Sequence, residues 1–179
     1  MKPFIIITVV ALLSFTACRP KTYLTKGLKQ KIESQNIPIS KVQFYLDRDL
    51  ALKRQLSSEA AKVTEGKIKF VNGKYIQVIR FKKYTPGVCI QEDSSGLRIA
   101  FESGNEKYLT FKITQVEENE AVYTITGNTL SDSTKAIMYD GKTYSIQGDG
   151  LSAKLLIKRK EADKMEVKKT KVKGLKVTN

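Results

Sequence analysis

Between Tyr108 and Thr114 the chain places Leu109, Phe111 and Ile113 on one side and Thr110, Lys112 and Thr114 on the other. An apolar residue at every second position is the period of a half-buried β-strand, and a helix of period 3.6 does not bury such a pattern. The same beat returns in Val42, Phe44 and Leu46, in Leu97, Ile99 and Phe101, and in Leu151, Ala153, Leu155 and Ile157. Asn72-Gly73 separates apolar runs at 67–71 and 75–81, and Asp140-Gly141 separates runs at 136–139 and 143–147. Both dipeptides accept positive φ at both positions, which a two-residue hairpin requires. The pattern predicts an all-β fold: an antiparallel sandwich or barrel-like domain of about eight to ten short strands.

Other stretches are less regular. Over 50–64 the leucines fit a strand, yet Leu52, Leu56, Ala60 and Val63 also sit at helical spacing; the reading taken is a strand at 50–56, then a short helical or irregular stretch at 57–64. The doublet Val78-Ile79 breaks alternation and is read as a β-bulge. Tyr84-Thr85-Pro86-Gly87 is read as a type II turn, with glycine at the positive-φ position. Residues 117–120 are read as a solvated hairpin tip before a strand at 122–126. The tail at 164–177 alternates loosely through Met165, Val167, Val172 and Val177, and is expected to add a lysine-guarded edge strand.

The N-terminus is of another kind. Met1-Lys2 precedes an apolar run that ends at Ala17, shorter than the ~20 residues that span a bilayer. It has the form of a secretory signal, which leaves the mature chain on cleavage. Phe15-Thr16-Ala17-Cys18 resembles a lipobox, the site cut in bacterial lipoproteins, with Phe15 where leucine is usual. The resemblance implies removal of residues 1–17, a diacylglyceryl thioether on Cys18 and acylation of the freed amine. Two or more acyl chains anchor a protein stably. Residues 18–38 are then expected to form a lipidated, basic tether, crossed by a helical spacing of Leu24, Leu28 and Ile32, and residues 39–179 a single β-domain with a basic tail. Arg19 after the cysteine, rather than Asp, points to the outer membrane, and the acid-free run RPKTYLTKGLKQK to its periplasmic side. The mature chain also resembles the small, Lys-rich, all-β lipoproteins of Bacteroidota-type envelopes.

The net charge of +14 is concentrated at the ends. Residues 19–35 carry five basic and one acidic residue, and residues 158–179 nine basic and three acidic. The middle is almost balanced. Such basicity often marks nucleic-acid binding, but an exported chain rarely meets nucleic acid, so that partner is excluded. Lipid headgroups, lipopolysaccharide phosphates and cell-wall carboxylates are the anionic neighbours expected.

Chemistry is sparse. With no histidine, Ser-His-Asp triads, Cys-His pairs and histidine metal sites are excluded. Cys89 has no cysteine partner beyond the anchor and is read as a buried strand residue. Asp140-Gly141-Lys142-Thr143 lacks the upstream glycine and the strand-to-helix setting of a phosphate-binding loop. Glu117, Glu118 and Glu120, and Asp47 with Asp49, are read as solvated acids at turns. Tyr45, Tyr75, Tyr84, Tyr108, Tyr123, Tyr139 and Tyr144 are read as strand formers with polar tips rather than as a glycan-binding face. No catalytic, cofactor-binding or metal-ligating residue is assigned; Cys18 alone is assigned, to lipidation. The expected role is that of a non-enzymatic, membrane-anchored envelope protein whose β-domain binds a neighbouring envelope protein or supports an assembly. The alternative is a periplasmic binding module for an anionic lipid or glycan.

Overall fold

The computed structural model describes residues 21–63, 68–117 and 119–166. Strand β1 (Lys21–Tyr23) and helix α1 (Lys26–Ser34) come first, then β2 (Gln43–Leu46), β3 (Leu50–Leu56) and the short helix α2 (Ser58–Val63). Strands β4 (Ile68–Val71), β5 (Lys74–Phe81), β6 (Pro86–Asp93), β7 (Gly96–Ala100), β8 (Tyr108–Glu117) and β9 (Glu120–Ile125) follow. The chain continues through β10 (Asn128–Ser131), β11 (Thr134–Tyr139), β12 (Lys142–Gln147) and β13 (Leu155–Lys158) into helix α3 (Arg159–Glu166). Among the described residues no helix is long and apolar enough to cross a membrane.

The strands make two antiparallel sheets packed on one core, an all-β sandwich. The larger runs β1-β13-β2-β6-β7-β8-β9, the smaller β10-β11-β12-β3-β5-β4. Alternation puts Phe44, Leu46, Leu97, Ile99, Leu109 and Phe111 inward from the first sheet, and Leu50, Leu52, Ile137, Tyr139, Tyr144 and Ile146 inward from the second. A line of edge-to-face rings joins the layers. Phe111 meets Phe101 at 6.5 Å, Phe101 meets Phe81 at 5.6 Å, and Phe81 meets Tyr139 at 5.6 Å. Such pairs add about 0.5–1.5 kcal/mol each beyond the area they bury.

The segment expected as a tether is, from Lys21 onward, part of this domain. β1 pairs with β13, Lys21 opposite Lys158 and Tyr23 opposite Leu156. The Leu24 N–H donates to the Leu155 carbonyl at 2.9 Å, and the Leu24 carbonyl accepts from Tyr123 N–H at 3.2 Å. With further bridges at Thr25–Val122 and Thr124–Lys154, the larger sheet curls until β9 meets the β1/β13 side. Thr25 caps α1, its hydroxyl accepting from Leu28 N–H at 3.1 Å, and Asn36 leaves the helix at φ 56°. Leu24 and Ile32 are fully buried. The helical spacing was visible in the sequence, but the lysines around it concealed that one stripe of the helix seals the core.

Three local expectations also change. There is no bulge at Val78-Ile79: β5 pairs with β3 without a break, Val78 opposite Lys53 and Ile79 opposite Leu52. The doublet exists because the sheet is apolar on both faces there. The turn sits earlier than Tyr84–Gly87. Thr85 N–H closes it on the Lys82 carbonyl at 3.0 Å, and Tyr84 takes the positive φ, 67°. Gly87 lies in β6 opposite Phe44. A Cβ on it would come within 2.7 Å of Ile99 Cγ2 and the Phe101 ring, so close packing explains this glycine. In the tail, 164–166 end α3 rather than begin a strand; Val167, Val172 and Val177 lie outside the described residues.

A buried lysine ties α1 to the larger sheet. Lys29 forms ion pairs with Glu33 on its own helix and Glu92 on β6. Burial pulls its pKa down, but hydrogen bonds to both carboxylates outweigh this and raise it from 10.5 to about 12. A raised lysine contributes stability that is fully present below the unfolded pKa and lost as pH climbs through the folded one. Because both carboxylates are well exposed, the contribution at neutral pH is about 1 kcal/mol after allowance for solvent screening. The expected result is that Lys29→Met lowers the urea midpoint at pH 8, and that the gap to wild type closes between pH 10.5 and 12. A gap that stays constant over that range would refute the assignment.

Candidate functional site: a cationic groove

The smaller sheet turns one face inward and leaves the other open. On β3 the open face carries Ala51, Lys53 and Gln55; on β5 it carries Ile76, Val78 and Arg80; on β4, Lys69 and Val71; on β12, Ser145 and Gln147. These side chains, Ala51 excepted, line a groove of about 500 Å³. Val78, only 8% exposed, is its floor. Register sets the cations around it: Ser145, Lys53 and Val78 lie in one cross-strand row, and Gln55, Ile76 and Lys69 in the next. Lys53, Lys69 and Arg80 are exposed. Among the described residues none of the three has a carboxylate within ion-pair distance, and no acidic side chain lines the groove.

Arg80 also borders a smaller hollow of about 220 Å³ that holds Asp49 and Asp149. The Lys83 N–H and the Lys82 ammonium hold the Asp49 carboxyl below the usual range. The cationic groove therefore abuts, at Arg80, a separate hollow with acidic walls. A further hollow of about 360 Å³ surrounds Arg98, Tyr108, Lys112 and Asn128. There Arg98 is already held by Asp93 at 3.1 Å and Gln91 at 2.9 Å, and stacks over Tyr108 at 5.2 Å. Its guanidinium is less available to a ligand than the cations of the open face.

The residues singled out from the sequence fall elsewhere. Cys89 is buried in β6, where its thiol contacts the Gln91 carbonyl at 3.3 Å and burial pushes its pKa up. Of the two acids read as solvated, Asp49 is exposed as expected, whereas the Asp47 side chain is buried and structural. Asp47 accepts from Lys154 N–H at 2.7 Å and pairs with Arg48 at 2.9 Å. Tyr139 and Tyr144 are core residues: Tyr139 donates to Glu102 at 2.8 Å, and Tyr144 to Gln77 at 3.1 Å. Tyr123 is buried too, so the tyrosines share no common face. Cys18, Glu118 and the first tether residues lie outside the described residues. Among the described residues no cluster of three His, Cys, Asp or Glu is placed to hold a metal ion.

Sequence reading missed Lys53, Lys69 and Arg80, because outward lysines on strands look like ordinary solvated positions. The signal was present in Val78-Ile79. An apolar residue on the outward phase, flanked at i±2 by Ile76 and Arg80, marks a covered outer face rather than a bulge. No family model matches the chain, and no curated protein or solved structure matches it either. The protein is defined by its own geometry: a two-sheet β-sandwich with an open cationic groove.

Proposed function

We propose that this is a non-enzymatic lipoprotein of the cell envelope, anchored through Cys18, which uses the open face of its smaller sheet to bind an anionic glycan or lipid headgroup. The observation that carries the reading is the convergence of Lys53, Lys69 and Arg80 on a groove with an apolar floor and no acidic lining residue. Three cations spread over neighbouring strands suit a ligand with repeated negative charges. Ser145, Gln147 and Gln55 supply hydrogen-bonding groups, and Ile76 and Val78 an apolar surface for a sugar ring or acyl stem. The likeness of residues 15–18 to a lipobox supplies the location.

A ligand that binds only the folded state raises the unfolding temperature by mass action. A polyuronate oligosaccharide is therefore expected to raise Tm at low salt, and a neutral glucan of equal length to leave it unchanged. Lys53→Glu/Lys69→Glu/Arg80→Glu should abolish the shift, a loss of at least about a hundredfold in affinity if each of the three charges contributes about 1 kcal/mol or more. Equal shifts with charged and neutral sugars, or an unaffected triple variant, would refute the groove.

A second reading, binding of a neighbouring envelope protein, rests on β4. It is the edge strand of the smaller sheet, with Phe70 66% and Val71 48% exposed. Exposed edges accept an added strand. A peptide competing with the polyuronate and protecting the β4 amides from exchange would favour this occupant.

A further inference from the structure

Only Arg19 and Pro20 separate Cys18 from Lys21, the first residue of β1. Three residue steps reach at most about 11 Å. If Cys18 carries the acyl chains, Lys21 stays close to the bilayer, and the surface around it decides which face of the domain turns to the membrane. This inference therefore rests on the lipidation reading above.

That surface has a distinct composition. Lys21 and Lys158 are partners across β1 and β13, on the outer face of the larger sheet. The Lys21 ammonium lies 4.3 Å from the centre of the Tyr84 ring and 4.7 Å from that of Tyr45. The Lys83 ammonium lies 5.0 Å from the centre of the same Tyr84 ring. Tyr84 stands at a turn tip, 45% exposed. The face continues along β6 with Val88, 44% exposed, and Ile90, 55% exposed, a residue set at a register shift. Val88 is opposite Gln43 on β2, the strand that carries Tyr45. Among the described residues no carboxylate pairs with Lys21, Lys83 or Lys158.

We propose that this face, Lys21, Lys83 and Lys158 around Tyr84 with Val88 and Ile90, seats the domain on an anionic membrane surface. Each component suits the headgroup layer. Lysines near an anionic leaflet gain electrostatic attraction. Tyrosine keeps an apolar body and a polar tip, which favours it at the interface. Exposed Val88 and Ile90 add shallow apolar contact that water does not reward. The cationic groove belongs to the other sheet, so seating on this face leaves it open to the surrounding medium.

The test uses the anchored chain, purified from membranes and reconstituted in nanodiscs that contain phosphatidylglycerol. A fluorophore is placed at Val88→Cys or, separately, at Lys69→Cys in the groove; Cys89 is buried and Cys18 is blocked if acylated. Nitroxide-bearing lipids are expected to extinguish the label at 88 and leave that at 69 bright. In Lys21→Glu/Lys83→Glu/Lys158→Glu the quenching at 88 should be lost, while the circular dichroism spectrum stays that of the wild type. Strong quenching at 69, none at 88, or quenching at 88 that survives charge reversal would each overturn the proposal. Intact mass of the same preparation reads the anchor separately. A chain without acyl mass on Cys18 would sink the lipidation reading, whatever the labels report.

Discussion

Leu24→Ala is expected to destabilise the domain by about 3 kcal/mol, within the range of 2–5 kcal/mol found for buried leucines. The residue lies in a stretch whose composition reads as a solvated tether, where such a change would do nothing measurable. In the structure its side chain is fully buried, and its backbone holds two strands at once, accepting from Tyr123 and donating to Leu155. Alanine keeps both hydrogen bonds, so the loss reports packing at the seam. Leu28→Ala, at a half-buried position of α1, is the control and should cost clearly less. Urea midpoints at constant slope would measure both. Equal, negligible effects would return residues 21–38 to the role of tether.

The second large effect is at Gly96. Its φ is +123°, and a Cβ there would lie 2.4 Å from the Phe111 carbonyl oxygen, a backbone atom of the paired strand. Neither φ nor the oxygen can shift without breaking the pairing of β7 with β8. Gly96→Ala is expected to cost about 3 kcal/mol or more, from strain at φ and overlap together. Gly73→Ala separates the two causes. Gly73 has φ +74° with nothing within 4 Å of the missing Cβ, so only the conformational part remains, about 1 kcal/mol. If both variants lost the same amount by thermal unfolding, the overlap at Gly96 would carry no energy.

The strands most legible in the sequence were those with one face in the core and one in water. β8, β7 and β3 show the alternation, and Asn72-Gly73 and Asp140-Gly141 adopt the positive φ that their hairpins need. α2 also falls where the helical spacing after β3 pointed. Two strands were missed. β1 is only three residues long, and all four residues of β10 are exposed. Neither offers a period to detect, and their pairing depends on partners distant in the chain. The groove was missed for a related reason. Lys53, Lys69 and Arg80 sit on three strands, and only the register of β3, β4 and β5 brings them around Val78. Cys89 was legible because it lies among apolar neighbours.

The pairing of β1 with β13 also sets the order in which this chain can become itself. A growing polypeptide that has not yet made residues 155–158 has no partner for β1, and Leu24 cannot join the two sides of the larger sheet. Contacts so distant in sequence form late, since loop closure must precede any gain from them. The chain thus stays incompletely folded until its far end has been synthesised. For the exported lipoprotein proposed above that delay would be useful, because a translocation pore passes an unfolded thread more readily than a finished sandwich.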